Sequence, residues 1–278
     1  MALTQAVPAD PAQATEPATP ATSKVPLGTD VVDDSLDMLS ALYEYNHWIY
    51  SLIRPHVAGR ILEIGCGVGN ITRFLAISGR EVVGIDPVDH FVERFKERLG
   101  HMSHVTSSVG YLQDLAPPDT EAHAFDTVVS CNVLEHIQDD VDAVSAMARQ
   151  VRPGGKVVLF VPAGPVAFGR LDRELGHYRR YTIRSLKKVF HRAGLQWVAG
   201  RYSNSVGLFG WWFNSVVLGR CHVPSQQAAV FNRCVPLISA LERLAPVPFG
   251  QSVLGVGLKK DTGVMEPPGS TRRLALAR

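Results

Sequence analysis

Three clusters of residues have the side chains and spacing that could do chemistry. In the run ILEIGCGVGNIT, Ile61 to Thr72, Glu63 stands two positions ahead of three alternating glycines, Gly65, Gly67 and Gly69. Glycines in that pattern let a backbone turn sharply and approach a ligand with no Cβ in the way. A dinucleotide fits poorly, because the G-x-G-x-x-G fingerprint needs a third glycine where Asn70 or, in the other frame, Thr72 stands. A carboxylate at Glu63 repels a pyrophosphate and attracts an ammonium or sulfonium group. Asp86 closes the next apolar run, in GIDP, about 20 residues further on, where doubly wound folds hydrogen-bond a ribose. The expected ligand carries a ribose, a nearby cation and little negative charge, and S-adenosylmethionine meets all three conditions.

The second cluster is LGHYRRYT, Leu175 to Thr182. His177 has the side chain of a general base, and Tyr178 is counted with it as a catalytic candidate. Tyr178 and Tyr181 could shape an aromatic-lined pocket, and Arg179 and Arg180 could clamp a carboxylate or phosphate. The alternative is a loop whose arginines pair with Asp172 and Glu174 on its own surface. In the third cluster, NVLEHIQDD, Glu135 stands beside His136. His136 reads as a hydrogen-bonded residue at the sheet edge or as a second base.

These clusters need elements to position them. Apolar residues three and four apart over Asp33 to Val57 predict a helix that ends near Pro55. Short apolar runs then alternate with helical stretches: RILEIG, 70–79, EVVGID, 89–99, HVTSSV, FDTVVSC, 139–151 and GKVVLFVP. That alternation predicts a doubly wound α/β domain with a parallel sheet covered on both faces. Residues 163–182 form a long connection of the kind that carries function. A helix at 183–193, a strand at LQWVAGRY, apolar segments at 205–219 and 228–244, and a last strand at 252–260 complete the pattern. The segment SVGLFGWWFNSVVLG, 205–219, is too short to span a bilayer. It is expected to be a core helix packed on the sheet, with a lid over a hydrophobic acceptor or a membrane-interface contact as alternatives.

With 278 residues and a net charge of +2, the chain has no strong electrostatic footprint for nucleic acid. The four cysteines lack C-x-x-C spacing, which argues against disulfides or a cysteine zinc site and fits a reducing, cytoplasmic compartment. Residues 1–30, rich in Ala, Pro and Thr, and the basic residues 263–278 read as disordered tails around a domain over 31–262. No basic start followed by an apolar core suggests a secretory signal.

EIGCGVG, GIDP, FDTVVSCNVLEHI and VRPGGKVVLFVP, in that order, resemble the motifs of class I S-adenosylmethionine-dependent methyltransferases. The resemblance is strong over 58–162 and loose elsewhere. It implies a mostly parallel seven-stranded sheet with an antiparallel last strand. Residues 58–162 would hold the cofactor, and 163–248 would supply acceptor-side loops and a helical cap. Glu63, Gly65 and Gly67, with Cys66 and Gly69 in the same turn, would hold the methionine portion, and Asp86 the ribose. Ile85 and Pro87 would flank the adenosine. Tyr111 and Leu112 would border the adenine, with Gln113 or Asp114 in place of the family's usual acid. Asn132 and Val133 would line the methionine side.

Glu135 and His136 resemble the pair that joins a further glutamate around a divalent metal in quinone-type O-methyltransferases. Asn132 occupies that glutamate's position, a weaker ligand for a hard cation, and no metal is expected. Methylases of nucleic-acid amino groups usually show Pro-Pro-aromatic where this chain has NVLE. The expected partner is therefore a small-molecule or amphipathic acceptor methylated at oxygen, with possible contact at a membrane surface and no nucleic acid. A catalytically silent cofactor binder and a nicotinamide-dependent oxidoreductase are the rival readings.

Overall fold

In the computed structural model, residues 30–261 are described, apart from 121, 122 and 221. Both tail expectations lie outside the described residues, except that Asp30 opens the first helix. The order of elements is α1 (Asp30–Ala41), α2 (Tyr43–Ile53), β1 (Ile61–Ile64), α3 (Thr72–Leu75), β2 (Val82–Asp86), α4 (Asp89–Leu99), β3 (Val105–Val109), β4 (Phe125–Cys131), α5 (Asp140–Gln150) and β5 (Val151–Pro162). It continues with α6 (Arg170–Glu174), α7 (Ile183–Arg192), β6 (Gln196–Ser203), α8 (Ser205–Trp212), α9 (Ser225–Leu244) and β7 (Ser252–Leu258).

The seven strands form one sheet in the order β3-β2-β1-β4-β5-β7-β6. β1 to β5 pair in parallel, whereas β7 runs antiparallel to both its neighbours, as the family resemblance implies. Along β5, Val157, Leu159 and Val161 enter the core beneath α5 and α7, and Val158 and Phe160 enter the core beneath α2 and α9. Period-two alternation with both faces covered is why GKVVLFVP is a continuous apolar run. The strand order reverses between β1 and β4, so a crevice opens beyond their carboxyl ends, where such folds bind ligands.

Three expectations need correction. The helix over 33–57 is two helices broken at Leu42, whose ψ of 70° leaves the helical region. Asn46 Nδ2 donates to the Leu39 carbonyl at 2.7 Å and closes that break. The helix over 70–79 contracts to α3 and a single tighter turn, ended by Gly79 at φ +71°. The 205–219 segment is not a core helix. α8 contains no buried residue, and Phe209, Trp212, Phe213 and Val217 are exposed on it and the wider helical turn that follows. α2 and α9 already cover that face of the sheet, so α8 rests on the 163–182 connection instead. No helix among the described residues is long and apolar enough to cross a membrane.

Candidate active site

A cavity of about 1020 Å³ occupies the crevice. The carboxyl ends of β1, β2 and β4 form its floor. Leu36, Leu39 and Leu42 of the N-terminal helices, Trp211 of α8 and Phe231 of α9 help to enclose it, so the expected helical cover is present. Arg94 of α4 pairs with Asp37 of α1, and His90 with Asp33, across exposed surface.

The glycine turn after β1 is tied to β2, because the N–H groups of Gly65 and Cys66 both donate to the Ile85 carbonyl. Gly65 adopts φ +71°, and a Cβ there would lie 2.2 Å from Val133 Cγ2, so only glycine fits. Gly65, Cys66 and Gly67 line the cavity, but Gly69 does not. A Cβ on Gly69 would lie 2.5 Å from Leu99 Cδ1, so this glycine serves packing against α4 rather than ligand contact. The expectation for Gly69 is corrected accordingly.

Asp86 is 6% exposed; its Oδ2 accepts from Gly67 N–H at 2.8 Å and its Oδ1 from Val88 N–H at 3.0 Å. Burial raises its pKa against those two bonds. Each oxygen retains a lone pair for a ligand hydroxyl. Glu63 is also buried, with Oε2 accepting from the Thr72 hydroxyl at 2.6 Å. Burial pushes its pKa up to about 8, Thr72 opposing and the nearby Asp86 charge adding. A cationic ligand relieves both carboxylates, which is the test S-adenosylmethionine passes and a pyrophosphate fails.

Ile85, Pro87, Tyr111, Leu112, Gln113 and Asp114 line one end of the cavity, and Asn132 and Val133 line its floor. Asn132 takes φ +55° and donates its N–H to the Phe160 carbonyl at 2.7 Å. That left-handed residue bends the chain off β4 and aims the next turn, Leu134–His136, into the cavity.

The 163–182 loop is organised by Asp172, which is fully buried. Its Oδ1 accepts from Arg180 Nε at 2.7 Å and from His177 Nδ1 at 2.9 Å. Its Oδ2 accepts from Gly169 N–H at 3.0 Å and Trp211 Nε1 at 3.1 Å. Burial works to raise the Asp172 pKa, but His177, Arg180 and these bonds outweigh it and hold the carboxyl low. The Arg180 guanidinium also donates to the Ala163 carbonyl and lies 4.6 Å from the Trp211 ring centroid.

With its Nδ1–H committed to Asp172, His177 has Nε2 as its remaining ring nitrogen for a ligand. The His136 ring stands 4.6 Å from that of His177, nearly perpendicular to it. Burial pushes the His136 pKa down to about 3, so its ring is neutral. Glu135 is 1% exposed, and burial pushes its pKa up to about 7. Ligand-capable atoms of Glu135, His136 and His177 all lie within 4.8 Å of one another.

Four residues of LGHYRRYT depart from expectation. Tyr178 is exposed and does not line the cavity; its N–H donates to the Glu135 carbonyl, so the residue braces the neighbouring turn. Arg179 turns outward to Asp140 and the Gln138 carbonyl. Tyr181 is in the core, its hydroxyl donating to Asp140. Arg180 borders the cavity but is spent on Asp172, so neither arginine is free to clamp an acceptor. Arg180–Asp172 is the pair foreseen in the alternative reading, but it is buried rather than on the surface. Sequence reasoning did not find Asp172 as the organiser or Trp211 as its donor. Spacing carries no signal for four donors that converge from three separate segments.

Residues 41–199 match the family model described as "Methyltransferase domain". The tRNA U34 carboxymethyltransferase of Cellvibrio japonicus is 34% identical over 122 residues, which is 40% of this chain and 36% of that protein. The match therefore spans about a third of that relative's length. A probable S-adenosylmethionine-dependent methyltransferase of Mycolicibacterium smegmatis is 29% identical over 191 residues, 60% of this chain and 72% of that protein. Among solved structures, the complex between the Haloferax volcanii Trm112 methyltransferase activator and the putative methyltransferase superposes with a TM-score of 0.55 at 17% identity. It covers 83% of this chain and 98% of the other, a likeness of fold alone.

The expected partner set is corrected by these matches. Its exclusion of nucleic acid fails, because the chain resembles enzymes named for tRNA. The missing Pro-Pro-aromatic signature concerns base amino groups only, and one bound nucleotide requires no basic surface over the whole chain.

Proposed function

The chain belongs to the methyltransferase-domain family of S-adenosylmethionine-dependent enzymes, and from that premise we propose that it methylates an acceptor seated beside Glu135, His136 and His177. The observation that carries this reading is the pair of buried carboxylates, Glu63 and Asp86, set against the glycine turn at the switch point of the sheet. Asp86 would accept from the ribose hydroxyls with the lone pairs its backbone donors leave free. Glu63 would face the cationic end of the cofactor, and Gly65, Cys66 and Gly67 would let it approach the backbone. Tyr111, Leu112, Gln113 and Asp114 would border the adenine, and Asn132 and Val133 the methionine side. When bound, the cofactor supplies a methyl carbon made electrophilic by its sulfonium.

The chain itself must align the acceptor and exclude water. Leu36 and Leu39 of α1, Leu42 at the helix break and Ile49 of α2 wall the cavity, and two imidazoles and a carboxylate lie at the acceptor end. Those groups suit a hydroxyl that must lose its proton, so oxygen is the proposed acceptor atom. A second reading is favoured by the tRNA-named relatives: a uridine turned out of its stack would enter the same cavity. Free thiols at Cys66, Cys131 and Cys234 support the cytoplasm as the place of action.

The test is calorimetric titration with S-adenosylhomocysteine, with NAD as control, followed by transfer of labelled methyl to a hydroxyl-compound panel and to bulk tRNA. Micromolar binding of S-adenosylhomocysteine alone supports the family chemistry, and the labelled product separates the two acceptor readings. Absence of that binding overturns both.

A further inference from the structure

We propose that Glu135, His136 and His177 bind one divalent first-row transition-metal ion at the acceptor end of the cavity. Their ligand-capable atoms lie within 4.8 Å of one another, and side-chain adjustments of some tenths of an ångström bring them to the radius of about 2.0–2.2 Å around a shared ion. Two of the donors have no other use. Glu135 Oε2 and His136 Nδ1 are both buried without a hydrogen-bond partner, an arrangement that folded proteins rarely leave unexplained.

The third donor is oriented from behind. Asp172 accepts the His177 Nδ1 proton at 2.9 Å, fixing the tautomer that presents Nε2, as a carboxylate does behind a metal-bound imidazole. Arg180 is paired with Asp172, and among the described residues Glu135 has no ion pair of its own. The backbone holds the two ligand segments together, since Tyr178 N–H donates to the Glu135 carbonyl at 2.8 Å. Two imidazoles and one carboxylate suit Zn²⁺, Co²⁺ or Mn²⁺ and disfavour Mg²⁺, which prefers oxygen ligands. The ion's use, polarising an acceptor oxygen, rests on the methyl-transfer reading above; its binding does not.

The experiment uses the full chain, stripped with a chelator, and titrates it with Zn²⁺ by calorimetry and with Co²⁺ by visible absorption, Mg²⁺ serving as control. One tight Zn²⁺ equivalent, Co²⁺ bands typical of nitrogen ligation and no Mg²⁺ binding are expected. His177→Ala and His136→Gln should each lower Zn²⁺ affinity by about tenfold or more, with S-adenosylhomocysteine affinity kept as proof of folding. The Co²⁺ spectrum of the unaltered chain decides the matter if a variant fails to fold. The proposal is overturned if the chain binds S-adenosylhomocysteine but no Zn²⁺, or if His177→Ala binds Zn²⁺ as tightly as the unaltered chain. Zn²⁺ binding without S-adenosylhomocysteine binding would overturn the methyl-transfer reading and leave the metal site standing.

Discussion

If Glu63 faces the cationic end of the cofactor, binding must be linked to its proton. Burial holds its pKa at about 8 in the free chain, so at pH 7 about nine carboxyls in ten are protonated. A bound ammonium or sulfonium favours the carboxylate, so binding expels that proton. The sign follows: affinity rises with pH until about 8 and then levels. The slope approaches tenfold per pH unit, or about 1.4 kcal/mol. Between pH 6 and 8 the gain reaches about 50-fold if the bound carboxyl titrates below that range. Calorimetry with S-adenosylhomocysteine in buffers of differing ionisation enthalpy should count about 0.9 proton released at pH 7. Glu63→Gln should remove both the release and the slope. A slope that persists in Glu63→Gln, or no proton release from the unaltered chain, would refute the reasoning. The same raised pKa makes the free chain's Glu63 contribution to stability greatest below the unfolded value near 4.5 and lost as pH rises through about 8. The melting temperature of the free chain should fall over that window, and S-adenosylhomocysteine should restore it.

Other expectations follow from single contacts. Asp86→Ala should weaken S-adenosylhomocysteine binding by about 1.5–3 kcal/mol for each charged ribose hydrogen bond lost, measured by titration. Gly65→Ala should abolish cofactor binding, and Val133→Ala should restore it only in part, because the positive φ remains after the clash is relieved. Asp172→Asn leaves a buried Arg180 without its counter-charge and should cost about 3–5 kcal/mol in a urea titration. Trp211→Phe keeps a ring beside Arg180 but drops one donor to Asp172, and should cost about 1 kcal/mol in the same assay.

The sequence alone determined the sheet, its parallel strands and the glycine turn and acid that close one side of the crevice. Those features are written locally: an apolar run, a glycine turn that no other residue can make, and an acid at the end of the next strand. Glu63, Gly65, Gly67 and Asp86 therefore come together wherever β1 pairs with β2. The 163–182 side of the cavity was not legible in the same way. Arg179 and Arg180 are neighbours of one type, yet one pairs with Asp140 on the outside and the other is buried against Asp172. His177 gains its tautomer from Asp172, and the 205–219 segment stays exposed because α2 and α9 reach the sheet first. Only the tertiary structure decided these outcomes, because burial and the choice of partner depend on segments far apart in the chain that periodicity and spacing do not connect.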